Sequence, residues 1–188
     1  MRAAQISELS GPDAVKVVDV DAPAIGEGQL LIDVHAAGVN FPDLLMTRGE
    51  YQVKPELPFV PGSEVSGIVA DAPAGSGFKV GDRVASFTLL NGIAERVAVP
   101  ADFALRIPDS MTFAQGAALP MNYLTMEFAL IRRGGVQRGE TVLIQGAAGG
   151  IGTAGIQISK ALGATVIAVA STPEKRDVAI AAGADQAI

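Results

Sequence analysis

The chain has 188 residues, 49% of them hydrophobic and 18% charged, with 14 basic against 20 acidic side chains and a net charge of −6. That composition supplies a core and excludes a disordered chain, and the acidic balance speaks against a nucleic-acid binder. There is no cysteine, and His35 is the only histidine; disulfide frameworks, thiolate metal sites, a cysteine nucleophile and any two-histidine motif are therefore excluded.

Ten of the eleven prolines lie in residues 1–120, which carry 8 basic and 15 acidic side chains; residues 121–188 carry 6 and 5. Two compositional halves meet near Leu119–Asn122, and we expect domains over 1–121 and 122–188. The first half reads as short strands between turn residues: Val15–Val20, Gln29–Ala37, Val65–Ala70, Arg83–Phe87 and Ala94–Val99. Gly11-Pro12, Pro61-Gly62 and Gly81-Asp82 punctuate them. Many short strands with such turns suggest a small barrel or sandwich. His35 falls within an apolar strand and reads as structural.

The second half alternates helices and strands. Thr112–Leu119 and Asn122–Ile131 read as helices leading into it, and Thr141–Gln145 as a short apolar strand. Ile151–Leu162 follows as a helix with Ile151, Gly155, Ile158 and Leu162 on one face. Ala164–Ala170 is a strand apolar on both faces, as parallel sheets require. Pro173–Ala182 is a helix with Thr172 as N-cap and proline at its first position. Ala184–Ile188 begins a third strand. The order β-α-β-α-β predicts an α/β doubly wound sheet.

Thr141–Ser159 is free of charge for 19 residues, close to the length of a membrane-spanning helix. Its five glycines and two glutamines fit a strand, loop and helix better. Met1–Asp13 has no signal-peptide h-region, so a cytoplasmic protein with no membrane partner is expected.

Between the first parallel strand and its helix lies Gly146-Ala147-Ala148-Gly149-Gly150-Ile151-Gly152. A dinucleotide pyrophosphate rests against a helix N-terminus, where free N–H groups and the dipole favour an anion. Gly149 gives close backbone approach, and Gly152 gives close packing of helix on strand. Ala147 stands at the first glycine of the strict G-x-G-x-x-G pattern; a tight turn without ligand is the alternative. About 20 residues on, an NAD site places an acid for the ribose 2′-OH. Here Ser171 and Thr172 stand at that place, with Lys175 and Arg176 beyond. Hydroxyls and cations suit a 2′-phosphate, so the expected cofactor is NADP(H). Alternatively, Lys175 and Arg176 form a solvated face with Glu174 and Asp177.

The segments Ala37-Gly38-Val39-Asn40-Phe41-Pro42-Asp43, Gly49-Glu50-Tyr51 and Leu57 to Gly67 carry a family resemblance over essentially the whole chain. Gly81-Asp82-Arg83-Val84 and Ala148-Gly149-Gly150-Ile151-Gly152 complete it. The chain resembles the zinc-independent quinone oxidoreductases of the medium-chain dehydrogenase/reductase superfamily. The resemblance implies a GroES-like, partly open barrel followed by the first half of a Rossmann domain, with the cofactor in the cleft between them. Zinc relatives have a Cys before the Asp of the first motif and a His between the Gly and Glu of the second. Here those places read Asn40-Phe41-Pro42-Asp43 and Gly62-Ser63-Glu64, so no family-type zinc can be assembled and no metal is expected. Asp43 and Glu64 read as hydrogen-bonding or structural residues.

The resemblance places Asn40 and Tyr51 beside the nicotinamide as catalytic residues. Tyr51 would bond the substrate oxygen or supply a proton, and Asn40 would position the ring or the substrate. Thr125 would lie near the nicotinamide, and Ala148, Gly149, Gly150, Ile151, Ser171, Lys175 and Arg176 would hold the rest of the cofactor. On the residues alone, Tyr51 also fits an ordinary loop aromatic and Asn40 a turn residue. Tyr51–Leu57 and Phe87–Ile93 would shape the pocket. The implied activity is hydride transfer from NADPH to a quinone or similar α,β-unsaturated carbonyl. An enoyl-thioester reductase is the enzymatic alternative, although residues 1–120 show no basic cluster for a CoA or carrier arm. A non-catalytic NADPH-binding or truncated protein is the other. Family members are longer, so a fragment of a longer enzyme is expected, inactive by itself and homodimeric as the full-length parent.

Overall fold

The computed structural model describes all residues, 1–188, and they divide into two compact units, 1–120 and 121–188. The division falls one residue from the boundary expected on composition.

In the first unit, β1 (Arg2–Ile6) and β2 (Val15–Asp19) form an antiparallel hairpin. The remaining strands are β3 (Gln29–Ala37), β4 (Glu64–Asp71), β5 (Arg83–Phe87), β6 (Arg96–Pro100) and β7 (Ala104–Arg106). They make one antiparallel sheet in the order β6-β3-β4-β5-β7. Alternate side chains supply its core: Leu30, Ile32, Val65, Val69, Val84, Val97 and Val99 are buried, as the two-residue period of a strand dictates. Bridges Ala3–Ala94 and Ile6–Phe59 tie the hairpin to the loops beside that sheet. At the middle of β4, a Cβ on Gly67 would stand 2.0 Å from the Asp33 carbonyl oxygen. Only glycine lets β4 come this close to β3, beside the bulge between Val34 and Ala36.

Two helices complete this unit. The first, α1 (Phe41–Thr47), was not expected from the sequence, where Asn40-Phe41-Pro42 reads as a turn. Asn40 is instead its N-cap residue, Pro42 sits in its first turn, and the Asp43 carboxylate accepts the Asn40 backbone N–H at 2.8 Å. The second, α2 (Phe113–Ala117), is shorter than the predicted helix, because Thr112 caps it by accepting the Gln115 N–H. Strands β1 and β7 are likewise absent from the sequence reading; both are short and rich in alanine or arginine rather than in β-branched residues.

The second unit opens with α3 (Pro120–Glu127), which continues as a π-helical turn over Phe128–Arg133. Then come β8 (Thr141–Gln145), α4 (Gly150–Ala161), β9 (Thr165–Val169), α5 (Pro173–Ala181) and β10 (Gln186–Ala187). The strands are parallel in the order β10-β9-β8. Thr172 caps α5, as expected. The charge-free run is thus a strand, a turn and a helix, and no helix is long and apolar enough to cross a membrane.

The predicted apolar face of α4 is corrected. Its buried residues are Gly152, Ala154, Gly155, Ile156 and Ser159, while Ile151 is 42% exposed. Small residues make up most of the buried face, because at Gly155 the helix passes close to α3 and β8. A Cβ on Gly155 would stand 2.6 Å from the Met126 side chain and 3.2 Å from that of Ile144. Ile156 supplies the bulk, packing with Ile144, Ala147, Val166, Ala168 and Ala179.

Candidate functional site

The turn between β8 and α4 is built around three glycines with different duties. Gly146 has φ +61°, in the left-handed region that favours glycine. A Cβ on Gly152 would stand 2.5 Å from both the Ala147 Cα and the Gly146 carbonyl oxygen; both contacts are backbone and neither can yield easily. A Cβ on Gly150 would meet the Asn122 amide at 2.8 Å. Ala147 is fully buried, and its N–H donates to the Val169 carbonyl at 3.2 Å. The turn is therefore fastened to β9 by the residue that departs from the strict glycine pattern.

Gly149, the N-cap of α4, has no side chain to satisfy the first N–H groups of the helix. The positive end of the helix dipole lies at these donors. Beside them opens a cavity of about 690 Å³ lined by Gly146, Ala148, Gly149, Val169, Ala170, Ser171, Lys175 and Val178. A cradle of small residues against an uncapped helix N-terminus, with a hydroxyl and a cation at its far wall, fits a dinucleotide in shape and charge.

The expected cofactor residues separate at this point. Ala148, Gly149, Ser171 and Lys175 line the cavity together. Gly150 and Ile151 lie in the first turn of α4, next to the lining. The Lys175 Nζ approaches the Ser171 Oγ at 3.4 Å. Arg176 is not on the lining: it is half-buried, its Nε approaches the Thr172 carbonyl at 3.5 Å, and its charge acts on Glu174. The Glu174 carboxyl is held below its ordinary range, first by its own backbone N–H at the start of α5 and then by the Thr172 hydroxyl. Thr125 is exposed on α3, where its hydroxyl donates to the Met121 carbonyl; it is not on the cavity lining. Sequence reasoning missed Val169, Ala170 and Val178, apolar residues whose only signal was their position at the end of β9 and on α5.

In the first unit, Asn40 and Tyr51 stand beyond opposite ends of α1. Asn40 is half-buried, and its Nδ2 donates to the Glu64 Oε1 at 2.9 Å. Glu64 is 2% exposed and Asp43 4%. Asp43 accepts the Asn40 N–H at 2.8 Å with one oxygen and the Gly62 N–H at 3.0 Å with the other. These carboxylates thus bind the chain to itself across the two sequence motifs. Tyr51 is half-buried and packs against the cluster of Ile6, Met46 and Phe59. His35 is exposed on β3, its ring 4.3 Å from that of Phe113.

Comparison with known proteins agrees with both units. The alcohol dehydrogenase GroES-like domain family matches residues 26–109. A probable oxidoreductase from Mycobacterium abscessus is 51% identical, with a TM-score of 0.95 over 100% of this chain and 60% of its own. The quinone oxidoreductase from Thermus thermophilus, solved also in complex with NADPH, is 40% identical with a TM-score of 0.87, over 100% and 59%. The human quinone oxidoreductase is 38% identical over 189 residues, 99% of this chain and 57% of its own length. The present chain thus spans under two thirds of each of these relatives.

The GroES-like match over residues 26–109 and the similarity of the whole chain to quinone oxidoreductases point to the medium-chain dehydrogenase/reductase class. Within it, the chain is quinone oxidoreductase-like.

Proposed function

We propose that the protein is an NADPH-dependent oxidoreductase that reduces a quinone or a similar α,β-unsaturated carbonyl without zinc. The observation that carries this reading is the cavity at the glycine turn: an uncapped helix N-terminus on one side, Ser171 and Lys175 on the other, and no acid at the end of β9. The NADPH complex of the Thermus relative supports the same choice of cofactor.

NADPH, when bound, supplies the hydride. The turn residues Ala148 to Ile151 hold the pyrophosphate through backbone N–H groups. Lys175 and Ser171 take the 2′-phosphate, a cation and a hydroxyl being suited to it, while Arg176 supports the start of α5. Thr125 is assigned to the nicotinamide by family resemblance. Tyr51 donates a hydrogen bond, and then a proton, to the substrate oxygen on which charge develops. Asn40 orients the reacting groups. No cysteine and a single histidine leave no family-type zinc ligand set, so polarisation of the carbonyl falls to such donors. Packing of Tyr51 against Ile6, Met46 and Phe59 holds its ring in place for that task. The substrate is a small molecule rather than a nucleic acid, and the active form is a homodimer.

Consumption of NADPH with a free 1,4-quinone, compared with a crotonyl thioester, tests the reading. The quinone is expected to be the better substrate. Tyr51→Phe is expected to lower kcat about 100-fold with NADPH binding unchanged, the scale for losing one donor to a developing oxyanion. Unchanged turnover in Tyr51→Phe removes the donor role, and preference for the thioester replaces the quinone.

A further inference from the structure

Val178 is a large apolar side chain with no place in the core. It is 46% exposed on α5, and the hydrophobic core of the second unit takes its neighbour Ala179 instead. It nevertheless lines the cavity at the glycine turn. Val178 follows Lys175 by three residues on α5, so the two are neighbours on one side of the helix, about 4.5 Å apart along its axis.

The cavity is divided in its chemistry. Of its eight residues, only Ser171 and Lys175 have a polar side-chain atom, and these two lie together, Nζ 3.4 Å from Oγ. Val169 and Ala170 at the end of β9, and Val178 on α5, offer only apolar groups. The main chain beside them is already engaged. The Ala170 N–H donates to the Ile188 carbonyl at 3.0 Å, and the Val169 carbonyl accepts the Ala147 N–H at 3.2 Å.

In a 2′-phosphorylated adenosine, the phosphate and the base stand on adjacent ribose carbons. A phosphate held by Ser171 and Lys175 therefore brings the base beside Lys175, within reach of Val178, Val169 and Ala170. A purine is apolar on its two faces and polar only along its edge. The side chains of the cavity match the faces and offer nothing to the edge.

Resting on the NADPH reading above, we infer that Val178 is a binding residue for the purine face of the cofactor, and that the site selects its nucleotide by the 2′-phosphate while leaving the edge of the base unread. The phosphate occupies Ser171 and Lys175, so the adenine amino group and ring nitrogens meet no side-chain hydrogen-bond partner. A 2′-phosphorylated nucleotide with a different purine is accepted on the same terms. This accounts for an exposed valine one turn beyond the phosphate-binding lysine.

Adenosine 2′,5′-bisphosphate is the probe, since it carries the base, ribose and 2′-phosphate and requires no turnover. In ¹³C-methyl spectra of the 188-residue chain, the Val178 methyl signals are expected to move upfield with this probe, under the ring current of the purine. They are expected to stay in place with inorganic pyrophosphate, which has no base. Inosine 2′,5′-bisphosphate reverses the donor and acceptor of the adenine edge. It is expected to bind within about 3-fold of the adenosine compound, whereas a site that hydrogen-bonds an edge rejects the wrong one by orders of magnitude. Val178→Ala is expected to weaken both compounds by about 3- to 10-fold, the scale of part of one apolar side chain's contact, with the Tm unchanged. Val178→Leu, which keeps the apolar surface, is expected to bind as the parent does. Unmoved Val178 methyl signals, a loss beyond about 3-fold for the inosine compound, or parent-like binding by Val178→Ala each overturn this inference alone, provided that adenosine 2′,5′-bisphosphate binds more tightly than adenosine 5′-monophosphate. A folded chain that binds the two adenosine compounds equally overturns the NADPH reading, and the inference with it.

Discussion

Gly152 and Gly149 are three residues apart and do opposite things. A methyl group on Gly152 would collide with backbone at 2.5 Å, whereas one on Gly149 would meet only the Gly146 carbonyl oxygen at an ordinary 3.5 Å. Gly152→Ala is therefore expected to destabilise the second unit by about 1–3 kcal/mol, the scale of overpacking in a filled interior. Gly149→Ala is expected to cost under about 1 kcal/mol, as a change of N-cap residue, and to weaken NADPH binding instead. Urea unfolding and a cofactor titration separate the two. Equal loss of stability in both variants would contradict the division of duties. Of the residues expected around the cofactor, those at the turn and at the end of β9 were legible because glycine, hydroxyl and cation carry a chemical signature. Arg176 was not separable from Lys175 in sequence. Adjacent residues on a helix diverge by about 100°, and only the observed turn of Arg176 toward Thr172 assigns them to different neighbours.

At the scale of the elements, the start of the last strand is tied by an ion pair as well as by its backbone ladder to β9. The Asp185 carboxylate accepts the Lys160 ammonium from α4 at 2.8 Å and the Val166 N–H from β9 at 2.7 Å. These partners, the lysine first, hold its carboxyl below the ordinary range. A carboxylate whose folded-state pKa lies below its unfolded value binds fewer protons when folded. Its stabilisation is thus present above about pH 4, the unfolded value, and is lost as pH falls through the folded one. Asp185→Asn is expected to lower the Tm of the chain at neutral pH and to flatten its decline below about pH 4. A decline as steep as in the parent would place the acid sensitivity elsewhere. Elements with a strong local signal were legible: the apolar run of β8, the Thr172-Pro173 start of α5, the nine residues of β3. Helix α1 was not, since its seven residues follow the turn-forming Asn40 with Phe41-Pro42 and are too few for a helical period to show. Its one signal was Asp43 three residues after Asn40, the spacing of a capping box. The face of α4 was misread for a related reason, because its close passage by α3 and β8 favours small residues, which hydrophobic periodicity counts as neutral.

For the whole molecule, the change in proline and charge falls near the division between the two units, at residue 120. Proline and turn residues suit an antiparallel sheet of short strands, while the parallel unit tolerates few prolines between its strands and helices. The pairing order of the first sheet was not legible. It follows from contacts between segments far apart in sequence, such as β3 with β6 and β5 with β7, which no local pattern encodes. On the reading proposed above, the second unit holds a dinucleotide and distinguishes it by its 2′-phosphate. The direct test is a fluorescence titration of the 188-residue chain and of Lys175→Ala with NADPH and, in parallel, NADH. Tighter binding of NADPH by the parent is expected, and a loss of about 10- to 100-fold in NADPH affinity for Lys175→Ala, with NADH little changed. That is the equivalent of one charged hydrogen bond. Equal affinity for the two nucleotides in the parent, or no binding by a folded sample, would contradict it.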